Sequence, residues 1–343
     1  MSGHVRAVGM LCPVGYSYAP ACAAMRCGLN RKEELSYLDR CGEPVVGSAM
    51  HGWFETGTAR TTRIATLAAR SILDALRGRD PRELTQHPTI LALASTLTPE
   101  QRTQIVSELC RQLGEALELR VDPRHIGVLG EDAVGGYRAL AWASELFERG
   151  EAKACFVCAA DSLIAARELL RLEQAGRLLN SINSDGFTPG EAGACVLVSA
   201  DRGDALADIL GIGFAREPAT LTNDVPLRAQ GLVEASHAAL TQAGLALHEI
   251  DHLLSDSSGE GFFFKERALL LSRLLSTPKP TLPIWSCANT LGHTGAAAGL
   301  CNVVWALAAR ERGYAPGALA LACAGSELEL RAALVFSHQR RSA

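Results

Sequence analysis

Apolar strands and amphipathic helices alternate along this chain in two successive rounds, and that repetition restricts the fold more than any single motif does. The first round opens with a buried strand at HVRAVGMLC (4–12) and a helix at PVGYSYAPACAAMRCGL (13–29) that ends near Gly28. It continues with long helices at 58–78 and 98–117, a strand at HIGVLG (125–130), a helix at 135–150, and strands at AKACFVCAAD (152–161) and ACVLVSA (194–200). After the charged seam DRGDA (201–205) come a strand at 207–215, a helix at 227–245, a strand at 252–258, a helix at 263–275, and final strands at 318–325 and 330–337. Strand-helix alternation of this kind buries sheets between helix layers. The similar order on either side of the seam predicts two related halves, 1–203 and 204–343.

With 343 residues the chain is long enough to bury a sizeable core, and 48% hydrophobic residues is a globular composition. A formal net charge of −4 offers no electrostatic footprint for nucleic acid or an anionic membrane. The opening MSGHVRAVGMLCPVGYSYAP is unlike a secretory signal, and no apolar run reaches the length of a membrane span. A cytoplasmic protein is expected. Its 11 cysteines have no regular spacing, which predicts buried reduced thiols. Cys155 and Cys158 form a CxxC within a predicted strand, where residues three apart face opposite ways and cannot share a metal. No metal and no cofactor is expected.

The stretch NTLGHTGAAAGL (289–300) removes side chains from two helical turns, which calls for close approach by another backbone. His293 sits just ahead of that helix, where the macrodipole keeps an imidazole neutral. A neutral ring there either bonds a nearby backbone group within the core or serves chemistry.

Three segments decide between these readings by likeness. The opening VGMLCPVGYSYAPACAAMRCGLN, the turn and strand DGFTPGEAGACVLV (185–198) and the histidine motif LGHTGAAAGL (291–300) are similar to those of the thiolase-fold condensing enzymes, specifically the β-ketoacyl-acyl carrier protein synthases. The likeness runs from end to end. It implies an α/β, five-layered αβαβα fold of two related halves, usually a homodimer. The chemistry it implies needs a cysteine thiolate at a helix N-terminus, assisted by two histidines or a histidine and an asparagine.

Most of that set is replaced. Gly136 and the spacing to CFVCAADS place Ala133 at the cysteine position. The first-histidine segment reads SDSSGEGFFFKERAL, putting Asp256 there with a one-residue ambiguity toward Ser255, and the lysine expected five residues before His293 is Ala288. The glycine-rich loop near the C-terminus reads CAGSELELRAALVF. His293 alone stays in place, so it is expected to serve packing. Loss of the nucleophile removes nearly all catalysis whatever its partners do.

The resulting expectation is a non-catalytic ketosynthase-like adaptor or chaperone. The departures are similar to thiolase-like proteins of bacterial type VI secretion clusters, which implies a secreted effector, a secretion-spike component or a second adaptor as partner. The alternative is a β-ketoacyl synthase-type acyltransferase with a relocated nucleophile, Cys323 or Cys287. Candidate partner contacts are Trp53, Phe54, Glu260, Phe262, Phe263 and Phe264, where aromatic anchors meet polar neighbours. Asp256, Glu260, Lys265 and Glu266 form either a polar pocket or a surface loop, and some of the three phenylalanines are expected in the core. The tail HQRRSA (338–343) reads as solvated.

Overall fold

Two runs, 154–162 and 191–199, form strands in which every residue is buried, so both faces must carry packed layers. The computed structural model, which describes residues 3–338, supplies those layers. The first round comprises β1 (Gly3–Leu11), α1 (Tyr18–Arg26), β2 (Lys32–Leu38), β3 (Pro44–Ser48), α2 (Arg60–Ala75), α3 (Glu83–Gln86), β4 (Thr89–Leu93), α4 (Pro99–Leu117), β5 (Ile126–Gly130), α5 (Gly135–Glu148), β6 (Ala154–Ser162), α6 (Ala166–Gln174) and β7 (Glu191–Ser199). The second comprises β8 (Ala207–Arg216), α7 (Gln230–Ala243), β9 (His252–Ser255), α8 (Gly261–Leu274), β10 (Ile284–Trp285), α9 (Ala288–Leu291), α10 (Ala298–Glu311), β11 (Leu319–Gly325) and β12 (Leu330–His338).

Ten strands form one mixed sheet in the order β10-β9-β11-β12-β8-β1-β7-β6-β4-β5. From each outer edge inward, both rounds use their third, second, fourth, fifth and first strands in turn. The two sheet halves expected from the sequence are both present, with helices between and outside them. A short antiparallel pairing, Gly3 to Val5 of β1 against Ile209 to Ala207 of β8, joins them edge to edge. β2 and β3 make a separate hairpin.

Helices α5 and α10 pack between the two sheet halves, around Tyr137, Leu140, Leu300 and Val304. α2 and α4 cover the outer face of the first half, and α7 and α8 flank the second. The outer helices come close because strand glycines admit them: a β-carbon at Gly9 would overlap the Ser71 carbonyl of α2, and one at Gly213 the Ala235 carbonyl of α7. α4 starts at a capping box, Thr98 and Gln101 bonding each other's backbone with Pro99 at the first helical position.

Cys155 faces the inner core and Cys158 the outer one, so the CxxC is split by the sheet. Of the 11 thiols all but Cys27 and Cys41 are buried. No helix among the described residues is long and apolar enough to cross a membrane. The expectation of a solvated tail holds no meaning for 339–343, which lie outside the described residues, and fails at His338, which ends β12 and is buried.

Candidate functional site

In the first half β4, β5 and β6 run parallel, and in the second β9, β10 and β11 do. Crevices at the carboxyl ends of parallel strands are where open α/β sheets collect function, because the turns there point one way. Here the two sets of carboxyl ends meet in one cavity. Ala94 and Thr96 follow β4, Asp132 and Ala133 follow β5, Asp161 ends β6, Asp256 and Ser258 follow β9, and Gly325 to Glu327 follow β11. The free space in the cavity is about 30 Å³. At roughly 15 Å³ each, that holds about two waters.

The helix expected to carry the nucleophile starts at this cavity. A 3-10 turn, Asp132–Val134, leads into α5, and Ala133 is buried at its centre, lining the cavity. Asp132 holds a φ of 54°, a left-handed conformation that costs a non-glycine residue about 1 kcal/mol or more. Its carboxylate accepts hydrogen bonds from the Ser95 N–H at 2.8 Å and the Ser95 hydroxyl at 2.9 Å, while burial raises its pKa. The small residues ahead of α10 serve the close approach their run demanded: a β-carbon at Gly299 would press on the Ala133 carbonyl, and one at Gly295 on the Asp161 carboxylate.

An unbroken chain of alternating charges runs through the site. Asp161 pairs with Arg60 at 2.9 Å, Arg60 with Glu168 at 2.7 Å, Glu168 with Arg171 at 2.6 Å, Arg171 with Glu327 at 3.1 Å, Glu327 with Arg177 at 2.7 Å, and Arg177 with Glu260 at 2.7 Å. All but Glu260 line the cavity. Burial opposes ionisation of Glu327, but the Arg171 hydrogen bonds and the Arg177 charge prevail and hold its carboxyl below the ordinary range. Of this chain the sequence reading contained only Glu260, and misplaced it: Glu260 is 5% exposed, with both oxygens on Arg177. It has no free face for a partner.

His293 lies between the backbone of one segment and the side chains of another. Its N–H donates to the Thr188 carbonyl at 2.8 Å, and its carbonyl accepts from the Gly190 N–H at 2.9 Å. The ring lines the cavity and lies 4.5 Å from the Phe187 ring, but its Nδ1 has no hydrogen-bond partner. Packing therefore uses the residue's backbone; the expected bond from the ring within the core is absent at Nδ1. Burial, reinforced by the Arg177 charge, lowers its pKa to about 4, so the imidazole is neutral.

Of Asp256 and Ser255, only Asp256 lines the cavity. It pairs with Arg267 at 3.2 Å and accepts from the Gly325 N–H at 2.6 Å, whereas the Ser255 hydroxyl turns to Ser257. Burial raises the Asp256 pKa against the pull of Arg267. Glu266 is buried against Arg331 at 2.8 Å, and Lys265 is exposed. The 256–266 segment is thus no surface loop. Ala288, at the lysine position, starts α9 and does not line the cavity.

Neither alternative nucleophile reaches this space. Cys323 belongs to the outer core beside Ser236, and Cys287 is buried with its N–H bonded to Asn302; burial raises both thiols. None of the three phenylalanines is core: Phe263 is half-buried and lines the cavity, Phe262 packs edge-on against it at 5.2 Å, and Phe264 is 54% exposed. Trp53 and Phe54 are half-buried far from these, under Arg70 and Arg63 of α2.

No family model matches the sequence. Over 206 residues the chain is 30% identical to the putative polyketide beta-ketoacyl synthase 2 of Streptomyces cyaneus, a match covering 55% of this chain and 48% of that protein. The matched region is thus about half the length of this curated relative. Among solved structures, a ketosynthase (ApeO) in complex with its chain length factor (ApeC) from Xenorhabdus doucetiae is similar with a TM-score of 0.76 at 17% identity, covering 98% of both chains. The ishigamide ketosynthase/chain length factor is similar with a TM-score of 0.73 at 17% identity, covering 98% of this chain and 99% of that one. The strand order, the cavity where the two parallel sets meet and these full-length structural likenesses show that the chain has a thiolase-like ketosynthase fold.

Proposed function

We propose that this chain is a non-catalytic ketosynthase-like subunit that works by binding a protein partner, and that the partner is a ketosynthase-type chain. The observation that carries the reading is the cavity's contents: Ala133 stands at the start of α5 where a thiolate is needed, no cysteine lines the space, and interlocked ion pairs crowd it. A buried charge chain of this kind leaves no room for an acyl group and strongly favours a fixed conformation.

The sheet supplies a place for the partner. Its β10 edge is two residues long and self-limiting, but its other edge, β5, reads IGVLG, without a charge or proline to blunt it. An uncovered, uncharged edge strand is a template for another chain's strand. Two of the similar structures are ketosynthases with their chain length factors, which supports a partner of that class.

The test is affinity recovery of the tagged chain from its native host, with native mass spectrometry of what comes with it. A 1:1 complex with a ketosynthase-type chain is expected, lost in Val128→Lys while circular dichroism stays unchanged. Recovery of a secreted effector or secretion-spike component in its place would make the chain an adaptor for secretion instead. Recovery of no protein would overturn the reading.

A further inference from the structure

We propose that His252 and His338 form an acid-triggered release for the edge of the sheet that leads to the cavity. His252 opens β9 and His338 closes β12, and their rings stack with centroids 5.4 Å apart and planes 16° from parallel. His252 is 0% exposed and His338 3%. None of their four ring nitrogens has a hydrogen-bond partner among the described residues. Two imidazoles packed face to face without an acceptor tolerate only the neutral state, because a proton on either one is unsolvated and repels the other.

Among the described residues, no carboxylate bonds either ring. His252 meets Trp285 of β10 at 5.2 Å, and His338 meets Phe336 on its own strand at 4.9 Å. Of the charged groups facing them, Arg310 of α10 disfavours protonation of His338, and Asp251, beside His252, favours protonation there but spends its Oδ2 on the Leu319 N–H. Burial lowers the pKa of His252 to about 4 against the pull of Asp251, and burial with the His252 and Arg310 charges lowers that of His338 to about 3.

A group whose folded pKa lies below its unfolded value gives stability that is complete above the unfolded pKa and is lost as pH falls toward the folded one. With an unfolded value near 6.5, the window runs from about pH 6.5 downward. At about pH 5 each released ring gains roughly thirtyfold in the opening equilibrium, and the pair about a thousandfold.

Position makes this a release rather than uniform weakening. Trp285 stacks on Trp305 at 4.8 Å, and β10 is held to β9 by only two residue pairs, Ile284 with Leu253 and Trp285 with Leu254. From β10 the chain passes directly through α9 to Gly292 and His293. Displacing Trp285 therefore frees the segment that brings His293 to the cavity.

Urea unfolding followed by tryptophan emission tests this at about pH 7.5 and about pH 5. Between the two, the wild type should lose about a thousandfold more in its unfolding equilibrium than the double variant His252→Phe, His338→Phe, because His293 titrates in both. Equal losses would overturn the proposal. If the double variant does not fold, amide hydrogen exchange on the unaltered protein decides. Acid should open β9, β10 and the end of β12 ahead of β6 and β7 once intrinsic rates are corrected. Uniform opening would overturn it.

Discussion

Arg177 holds two carboxylates, Glu260 and Glu327, and faces the Phe187 ring at 5.0 Å, so its removal leaves buried Glu260 without its arginine and Glu327 with Arg171 alone. Arg177→Ala should destabilise the protein by about 3–5 kcal/mol. His293→Ala should cost about 1 kcal/mol, since its ring contributes a tilted contact with Phe187 while its backbone bonds remain. Chemical denaturation of both variants checks the order; a larger loss at His293 would mean that its ring has a partner the geometry lacks. Ala133→Cys should gain a thiol but no decarboxylation of a malonyl thioester, because Asp256 is still paired with Arg267 and repels a developing enolate. At this scale the sequence pointed to Ala133, Asp256 and His293, and the structure brings all three to the cavity. The sequence hid the charge chain: Arg60, Arg171 and Arg177 meet Asp161, Glu327 and Glu260 across as many as 156 positions, and only Arg171 with Glu168 has helical spacing. For Glu260 the polar loop left a pocket and a surface loop equally open; the Arg177 pairing, not visible in the sequence, makes its burial tolerable.

Element by element, the strands and helices of the core were legible wherever a long periodic run existed, as in α2, α4 and β6. β4 was not: TILAL is five apolar residues after a proline, equally consistent with a strand or a turn of buried helix. α6 was missed because ARELLRLEQ buries only Glu168, Leu169 and Leu172 and reads as solvated charge. The hairpin β2 and β3 gave a weak signal because most of its residues are exposed or only half-buried, and only Val45, Gly47 and Ser48 are buried. One element carries a local strain open to direct test. Exposed Glu118 ends α4 at a φ of 54°, with its N–H on the Gly114 carbonyl. Glu118→Gly should stabilise by about 0.5–1 kcal/mol, because glycine adopts that cap without steric penalty. A thermal melt no higher than wild type would show that the helix end relaxes in solution.

Across the whole molecule, the repeated strand order supports our proposal that the chain is a duplicated pair divided at residues 203 and 204. The layered architecture followed from the alternation and the end-to-end likeness, whereas the join between the halves could not be read, since three paired residues in β1 and β8 carry no distinctive pattern. The central claim, that this chain binds a partner instead of carrying an acyl group, is tested most directly by intact mass measurement of the complex recovered from the native host after exposure to acyl thioesters. The account predicts an acyl adduct on the partner chain and none on this one. An adduct on this chain, lost on mutating a single cysteine, would contradict it.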